Sequence, residues 1–127
     1  MSVPSSLVVA GNYSRSENAG IFVFPFDELS GHLRCPVARK AGIENPSYLL
    51  IHPRHPVLSA VSEVGTDSEC GEVITFRSLQ DPWRLERISS ISSEGARPCH
   101  LQLDQTGQWL FVSNYVTGSV SRRREFG

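Results

Sequence analysis

Two stretches decide the fold: PSYLLIHPRHPVLSAVSEV at residues 46–64, and PCHLQLDQTGQWLFVSNYV at residues 98–116. Each reads as a strand, a short polar turn and a second strand, with the turns RH and QTGQ in equivalent places. Displaced by 52 positions (98 minus 46), the copies superimpose. Pro46 falls on Pro98, Leu49 on Leu101, Ile51 on Leu103, Leu58 on Leu110, Ala60 on Val112 and Ser62 on Asn114.

The same displacement carries Gly20-Ile21-Phe22-Val23-Phe24 onto Glu72-Val73-Ile74-Thr75-Phe76, so the order of elements recurs as well. A unit of this length with about four short strands is the signature of a propeller blade. One blade cannot bury its apolar faces alone and needs neighbours to cover them. The chain holds about two and a half such units, whereas a closed ring takes ~4–8 blades. The expectation is an all-β chain forming a partial β-propeller. Blade 1 would cover about 5–45, blade 2 about 46–97 and a partial blade 3 about 98–121, leaving a basic tail at 122–127. A chance match of two hairpins within an ordinary sandwich is the competing reading.

The remaining apolar runs are short and strand-like: LVVAGNY (7–13), GIFVFPF (20–26), a further run at 33–38, and GEVITF (71–76). In CHLQLD (99–104), Leu101 and Leu103 share one face, and His100, Gln102 and Asp104 the other. No window keeps helical spacing over three turns, and Pro36, Pro46, Pro53, Pro56, Pro82 and Pro98 divide the chain. LQDPWRLERI (79–88) offers a short helical alternative, cut by Pro82. Trp83 and Trp109 are expected to pack between sheets.

Composition narrows the function. With 127 residues, 39% of them apolar, the chain is one domain's worth of core. Twelve basic residues against 13 acidic provide no field for nucleic acid or anionic lipid, so neither nucleic acid nor membrane is an expected partner. Cys35, Cys70 and Cys99 are odd in number and widely spaced, unlike a disulfide framework. Leu7-Val8-Val9-Ala10 is too short for a secretory h-region, and a cytoplasmic location is expected.

These motifs carry a resemblance. ENPSYLLIHP resembles the second-blade motif of the seven-bladed β-propeller lactonases, and GARPCHLQLDQTGQWLFVSNYVTGSVS resembles their third-blade motif. GIFVFPFDELSGHL is similar to their first-blade outer strand and turn, so the likeness runs from about Leu7 to Ser121. The family includes 6-phosphogluconolactonases and fungal muconate-lactonising enzymes. The resemblance implies hydrolysis of a sugar or sugar-phosphate lactone by metal-independent general-base attack of water, in the carbohydrate metabolism of the pentose phosphate pathway. It implies a small-molecule lactone as partner and no cofactor. The sequence departs from the pattern after Ser121, where Arg122, Arg123 and Arg124 stand in place of an apolar strand.

The resemblance also suggests where chemistry sits. His100 is the candidate general base, since an imidazole titrates near working pH. Glu63 is a second candidate base, at the end of its strand. Asn114 is a candidate to bind substrate hydroxyls, and Arg97 to hold a carboxylate or phosphate by paired hydrogen bonds. Each has a structural counterpart, namely a turn histidine, turn-satisfying Glu and Asn, and a surface arginine. No metal is expected: His52 and His55 flank Pro53 without a carboxylate or thiol at ligand spacing. Two further readings stand beside catalysis. One is an interaction fragment that self-associates through open blade edges, the other an inactive truncated product.

Overall fold

The computed structural model describes residues 5–80 and 82–124, and among them every regular element is a strand. They are β1 (Ser5–Ala10), β2 (Ile21–Asp27), β3 (His32–Leu33), β4 (Ala38–Lys40), β5 (Leu49–Ile51), β6 (Val57–Ser62), β7 (Glu72–Leu79), β8 (Arg84–Ser92), β9 (Pro98–Leu103), β10 (Trp109–Asn114) and β11 (Ser119–Arg124). They form three antiparallel sheets in sequence order: β1-β2 with both β3 and β4 on the far side of β2, then β5-β6-β7-β8, then β9-β10-β11.

The repeat maps onto this topology lane by lane. Moved by 52 residues, β6 covers β10, and β1 in turn covers β6. The first sheet therefore begins with the second lane of the blade. Among the described residues it has no strand in the lane that β5 and β9 fill. The expected four-stranded blades are thus three lanes, four lanes and three lanes. The expected strand at 33–38 is split into β3 and β4, because Pro36 has no N–H for a ladder.

Stacking the sheets buries two apolar layers. Ile21 and Ile43 from the first unit meet Leu58, Ala60, Ile74, Phe76 and Leu85 of the middle sheet. On its other face, Val61 and Val73 meet Leu101, Leu110 and Val112 of the third. The middle sheet is covered on both sides, and all six residues of β6 are buried. At about 1.5–3 kcal/mol for each large aliphatic side chain fully buried, these layers are what hold the sheets together.

Three readings are corrected. The helical alternative at 79–88 gives way to β8, which pairs with β7 over its length because ladder bonds satisfy the backbone that Pro82 keeps out of a helix. Arg122, Arg123 and Arg124 are not a detached tail but the end of β11, opposite Phe111, Leu110 and Trp109. Trp109 is not between sheets. It lies on the outer face of the third sheet, with the Arg122 and Arg124 guanidinium carbons each 5.7 Å from its ring centroid. Trp83 does pack against the first layer as expected.

Candidate active site

The links into β5 and β9 (residues 41–48 and 93–97) and the loops 63–71 and 115–118 lie at one end of the sheets, tied by a repeated backbone ladder. The Asn45 N–H donates to the Ser14 carbonyl of the first unit, and the Asn45 carbonyl accepts from Glu63 N–H. One blade on, the Arg97 N–H donates to Val64 and the Arg97 carbonyl accepts from Tyr115 N–H. Asn45 and Arg97 are 52 residues apart and share a left-handed backbone, with φ of 46° and 56°. Each precedes a buried proline, Pro46 or Pro98. A Cβ on Gly11 would collide with the Pro46 carbonyl oxygen, which is why glycine lets the first unit's loop lie against this link.

Three of the four candidate residues reach this rim with side-chain partners. His100, exposed on β9, faces the Tyr48 ring at 4.8 Å between centroids and 51° between planes. Glu63 Oε1 accepts a 2.7 Å hydrogen bond from Ser47 Oγ. Arg97 Nη1 donates to the Tyr13 hydroxyl at 2.7 Å, joining the first unit to the link into the third sheet. Adjacent residues Ser47 and Tyr48 therefore hold the two candidate bases, Glu63 through a hydroxyl and His100 through a ring face.

Asn114 is placed differently. It is buried, and its Nδ2 donates to the Ser93 carbonyl at 3.0 Å and to Ser119 Oγ at 3.3 Å. Its amide joins the exit of β8 to the third sheet, so its donors are committed to the protein. Asn45 is buried in a similar way, with Nδ2 donating to the Glu63 carbonyl.

Tyr13, Ser47 and Tyr48 are partners the sequence reading did not single out. For Tyr48 a signal existed, since the 52-residue displacement puts Ser47-Tyr48 on Cys99-His100. Repeat-equivalent positions on the first lanes of adjacent blades are neighbours once the blades stack. Tyr13 has no such signal, being 84 residues from Arg97 in a polar loop.

The opposite end is built for turns. The His52 ring Nδ1 accepts from the Arg54 and His55 N–H groups at 3.0 and 3.2 Å. That leaves Nε2 to carry the proton and donate to the Gly107 carbonyl, 3.2 Å away, across to the third sheet. Among the described residues no three His, Cys, Asp or Glu side chains gather as a metal set. Among the described residues, the two carboxylates with lowered pKa sit at this end also. Asp104 is held below the usual aspartate range first by the Thr106 hydroxyl and then by the Trp109 N–H, and Asp27 first by the Leu29 N–H.

This arrangement has relatives. Residues 7–124 match the model of the family described as lactonase, 7-bladed β-propeller. A 6-phosphogluconolactonase of Formosa agariphila is 29% identical over 107 residues, 84% of this chain and 30% of its own. One from Bacillus subtilis is 26% identical over 111 residues, again 30% of its own length. Among solved structures, the periplasmic gluconolactonase PpgL of Pseudomonas aeruginosa superimposes with a TM-score of 0.84 and 28% identity, over 95% of this chain and 35% of that one. The chain spans about a third of the length of each of these relatives. Both of its buried layers lie within the matched residues, and it belongs to the seven-bladed β-propeller lactonase family.

Proposed function

We propose that this chain contributes the rim of a lactonase that opens a sugar lactone or sugar-phosphate lactone with water. The observation that carries it is His100, exposed on the first lane of its sheet and faced by the Tyr48 ring. In this reading the neutral imidazole takes a proton from water as its oxygen adds to the lactone carbonyl carbon. The ring C–O bond then breaks, and the departing alkoxide recovers the proton from the imidazolium. The Tyr48 ring restricts the orientation of the imidazole. Glu63, steadied by Ser47, is the second candidate base, a carboxylate from which water can be oriented. The names of the Formosa, Bacillus and Pseudomonas relatives support a lactone as the substrate.

The test is acid release from a lactone by the ring-complete protein and by its His100→Ala variant. A fall in kcat of about 10²–10⁴-fold is expected for loss of a general base. An unchanged rate in a folded variant removes His100 from the reaction.

A second reading rests on the outer face of the third sheet, where Phe111 and Val120 are exposed beside Arg122. In that reading the open sheets associate with another copy of the chain. Sedimentation at rising concentration separates the two, since a monomer at high concentration leaves only the first. As to location, the three unpaired cysteines suit a reducing cytoplasm, and fractionation of the source cell decides it.

A further inference from the structure

We propose that the free edge of β1 is a strand-addition site. It takes an extended, uncharged segment of a separate polypeptide and seats one leucine-sized side chain of that segment between the first and middle sheets. The proposal is independent of the lactonase reading.

The first ground is an unpaired edge. β6 and β10, which stand one and two repeats on from β1, each pair on both sides, with β5 and β7 and with β9 and β11. β1 pairs with β2, and among the described residues its other backbone edge meets no strand. Edge strands are normally blunted by charge, proline or shortness. β8 carries Arg84, Glu86 and Arg87, β11 three arginines, and β4 Arg39 and Lys40, while β5 is only three residues long. β1, SSLVVA, has six residues with neither a charge nor a proline.

The second ground is a cavity beside that edge. It holds about 170 Å³, and its walls include Leu7 and Val9 of β1 together with Ile51, Val57, Leu58 and Trp83. Val9, Leu58 and Trp83 also belong to the buried layer between the first two sheets, so the cavity continues an existing interface. One repeat on, the corresponding space is walled by Leu50, His52, Val57, Ser59 and Leu103 and has no room for a water molecule. Leu7 stands where Ser59 does, and Ile51 where Leu103 does. The walls with no counterpart among the described residues are Leu50 of β5 and the His52 that follows it. Exposure follows this difference: Ile51 keeps 61% of its surface and Leu7 45%, whereas Ser59 keeps 4% and Leu103 is half-buried.

Register and chemistry of the occupant follow from the repeat. β5 lies antiparallel on β6, with Leu49 opposite Ala60, Leu50 opposite Ser59 and Ile51 opposite Leu58. Moved back by 52, those partners become Val8, Leu7 and Ser6. The added strand therefore runs antiparallel to β1, and its residue opposite Leu7 faces the cavity, because directly paired residues share a face. Leu50 packs on the layer towards the third sheet and Leu49 on the layer towards the first, so the residue in Leu50's place is the one that enters. Ladder bonds supply affinity and the cavity supplies side-chain preference. The strands of the described residues are already placed in three sheets, so neither they nor a second copy can lend one without unfolding a sheet. The occupant is accordingly a different polypeptide.

The test is titration of the full chain with the acetylated and amidated peptide PSYLLIHP, which copies residues 46–53. Backbone amide signals and the Trp83 indole N–H are followed by NMR. The peptide should shift residues 6–9 and Trp83 saturably and leave β11 unmoved. Replacing the leucine copied from Leu50 by alanine should weaken binding about 10–100-fold, the loss expected for a buried branched side chain. The same change at the leucine copied from Leu49, on the opposite face, should cost less than about 3-fold. Leu7→Lys puts a charge on the edge and in the cavity wall and should weaken binding by about 10-fold or more. Should that variant fail to fold, the two alanine peptides decide the matter on the unchanged protein. Equal losses from the two peptides, shifts confined to other strands, or no saturable shift overturns the proposal. Self-association that Leu7→Lys abolishes, without peptide binding, assigns the edge to a second copy and equally overturns it. Peptide binding by a protein that hydrolyses no lactone defeats the lactonase reading alone and leaves the strand site standing.

Discussion

β6 and β10 occupy the same place in successive blades, yet one is buried along its whole length and the other on a single face. In β6, VLSAVS, every residue is buried, because the first sheet covers one side and the third sheet the other. In β10, WLFVSN, only Leu110, Val112 and Asn114 are buried, and Phe111 keeps 39% of its surface. The residue opposite Phe111 in the repeat is Ser59, at 4%. The small polar residue is inside and the large aromatic one outside. Burial here follows the position of a blade in the stack rather than hydrophobicity. A serine fits the crowded middle sheet because its hydroxyl lies 3.3 Å from Thr75 Oγ1 on the neighbouring strand.

That contrast can be broken by substitution. The largest effect is expected from Leu58→Ala in β6, which removes a side chain from the layer between the first two sheets. Urea unfolding should show a loss of about 2–5 kcal/mol. Next comes the exchange of residues between the two strands. Ser59→Phe forces an aromatic ring into a layer with no room for it and should cost about 1–3 kcal/mol. Phe111→Ser, on the open face, should change the stability of this chain by no more than about 0.5 kcal/mol. Equal effects of the two exchanges would mean that the outer face of the third sheet is covered in solution.

The smallest effect concerns the turn that leads into β10. Asp104 accepts from Thr106 Oγ1 at 2.7 Å, from Gln108 N–H at 3.1 Å and from Trp109 N–H at 3.0 Å. These bonds lower its pKa in the folded state. A lowered carboxylate pKa stabilises the fold above the unfolded value, and the contribution is lost as the pH falls through the folded one. Stability of the wild-type chain should therefore fall with acid more steeply than that of Asp104→Asn, as read from melting temperature across that range. Parallel pH curves would show that the turn is not held by the charge.

Legibility followed the same division between covered and open sheets. The strands that pack between layers, β2, β6, β7 and β10, stand out in the sequence as apolar runs. β8 is missed because its pattern leaves only Leu85 buried, the mark of an outermost lane with water on most of its surface. β11 is hidden by three arginines, two of whose guanidinium groups lie over the Trp109 ring. Of the candidate site, His100, Glu63 and Arg97 lie on the end of the stack where the rim links meet. Asn114 is drawn into the joint between β8 and the third sheet, a role that residue type alone does not distinguish from ligand binding.

What the sequence determined by itself was the repeat. The apolar core positions 52 residues apart match, as Leu49 with Leu101 and Leu58 with Leu110, and that match specifies the recurring strand lanes, while the blade motifs carry the resemblance to the family. What only the tertiary structure decided was which of these side chains meet. Tyr48 reaches His100, Ser47 reaches Glu63 and Tyr13 reaches Arg97 across 52, 16 and 84 residues. The reason is physical. Lane and alternation are set by backbone periodicity within a strand, whereas contacts at the rim depend on how twisted sheets stack. That stacking is settled by the apolar layers between them, far along the chain from the residues they bring together.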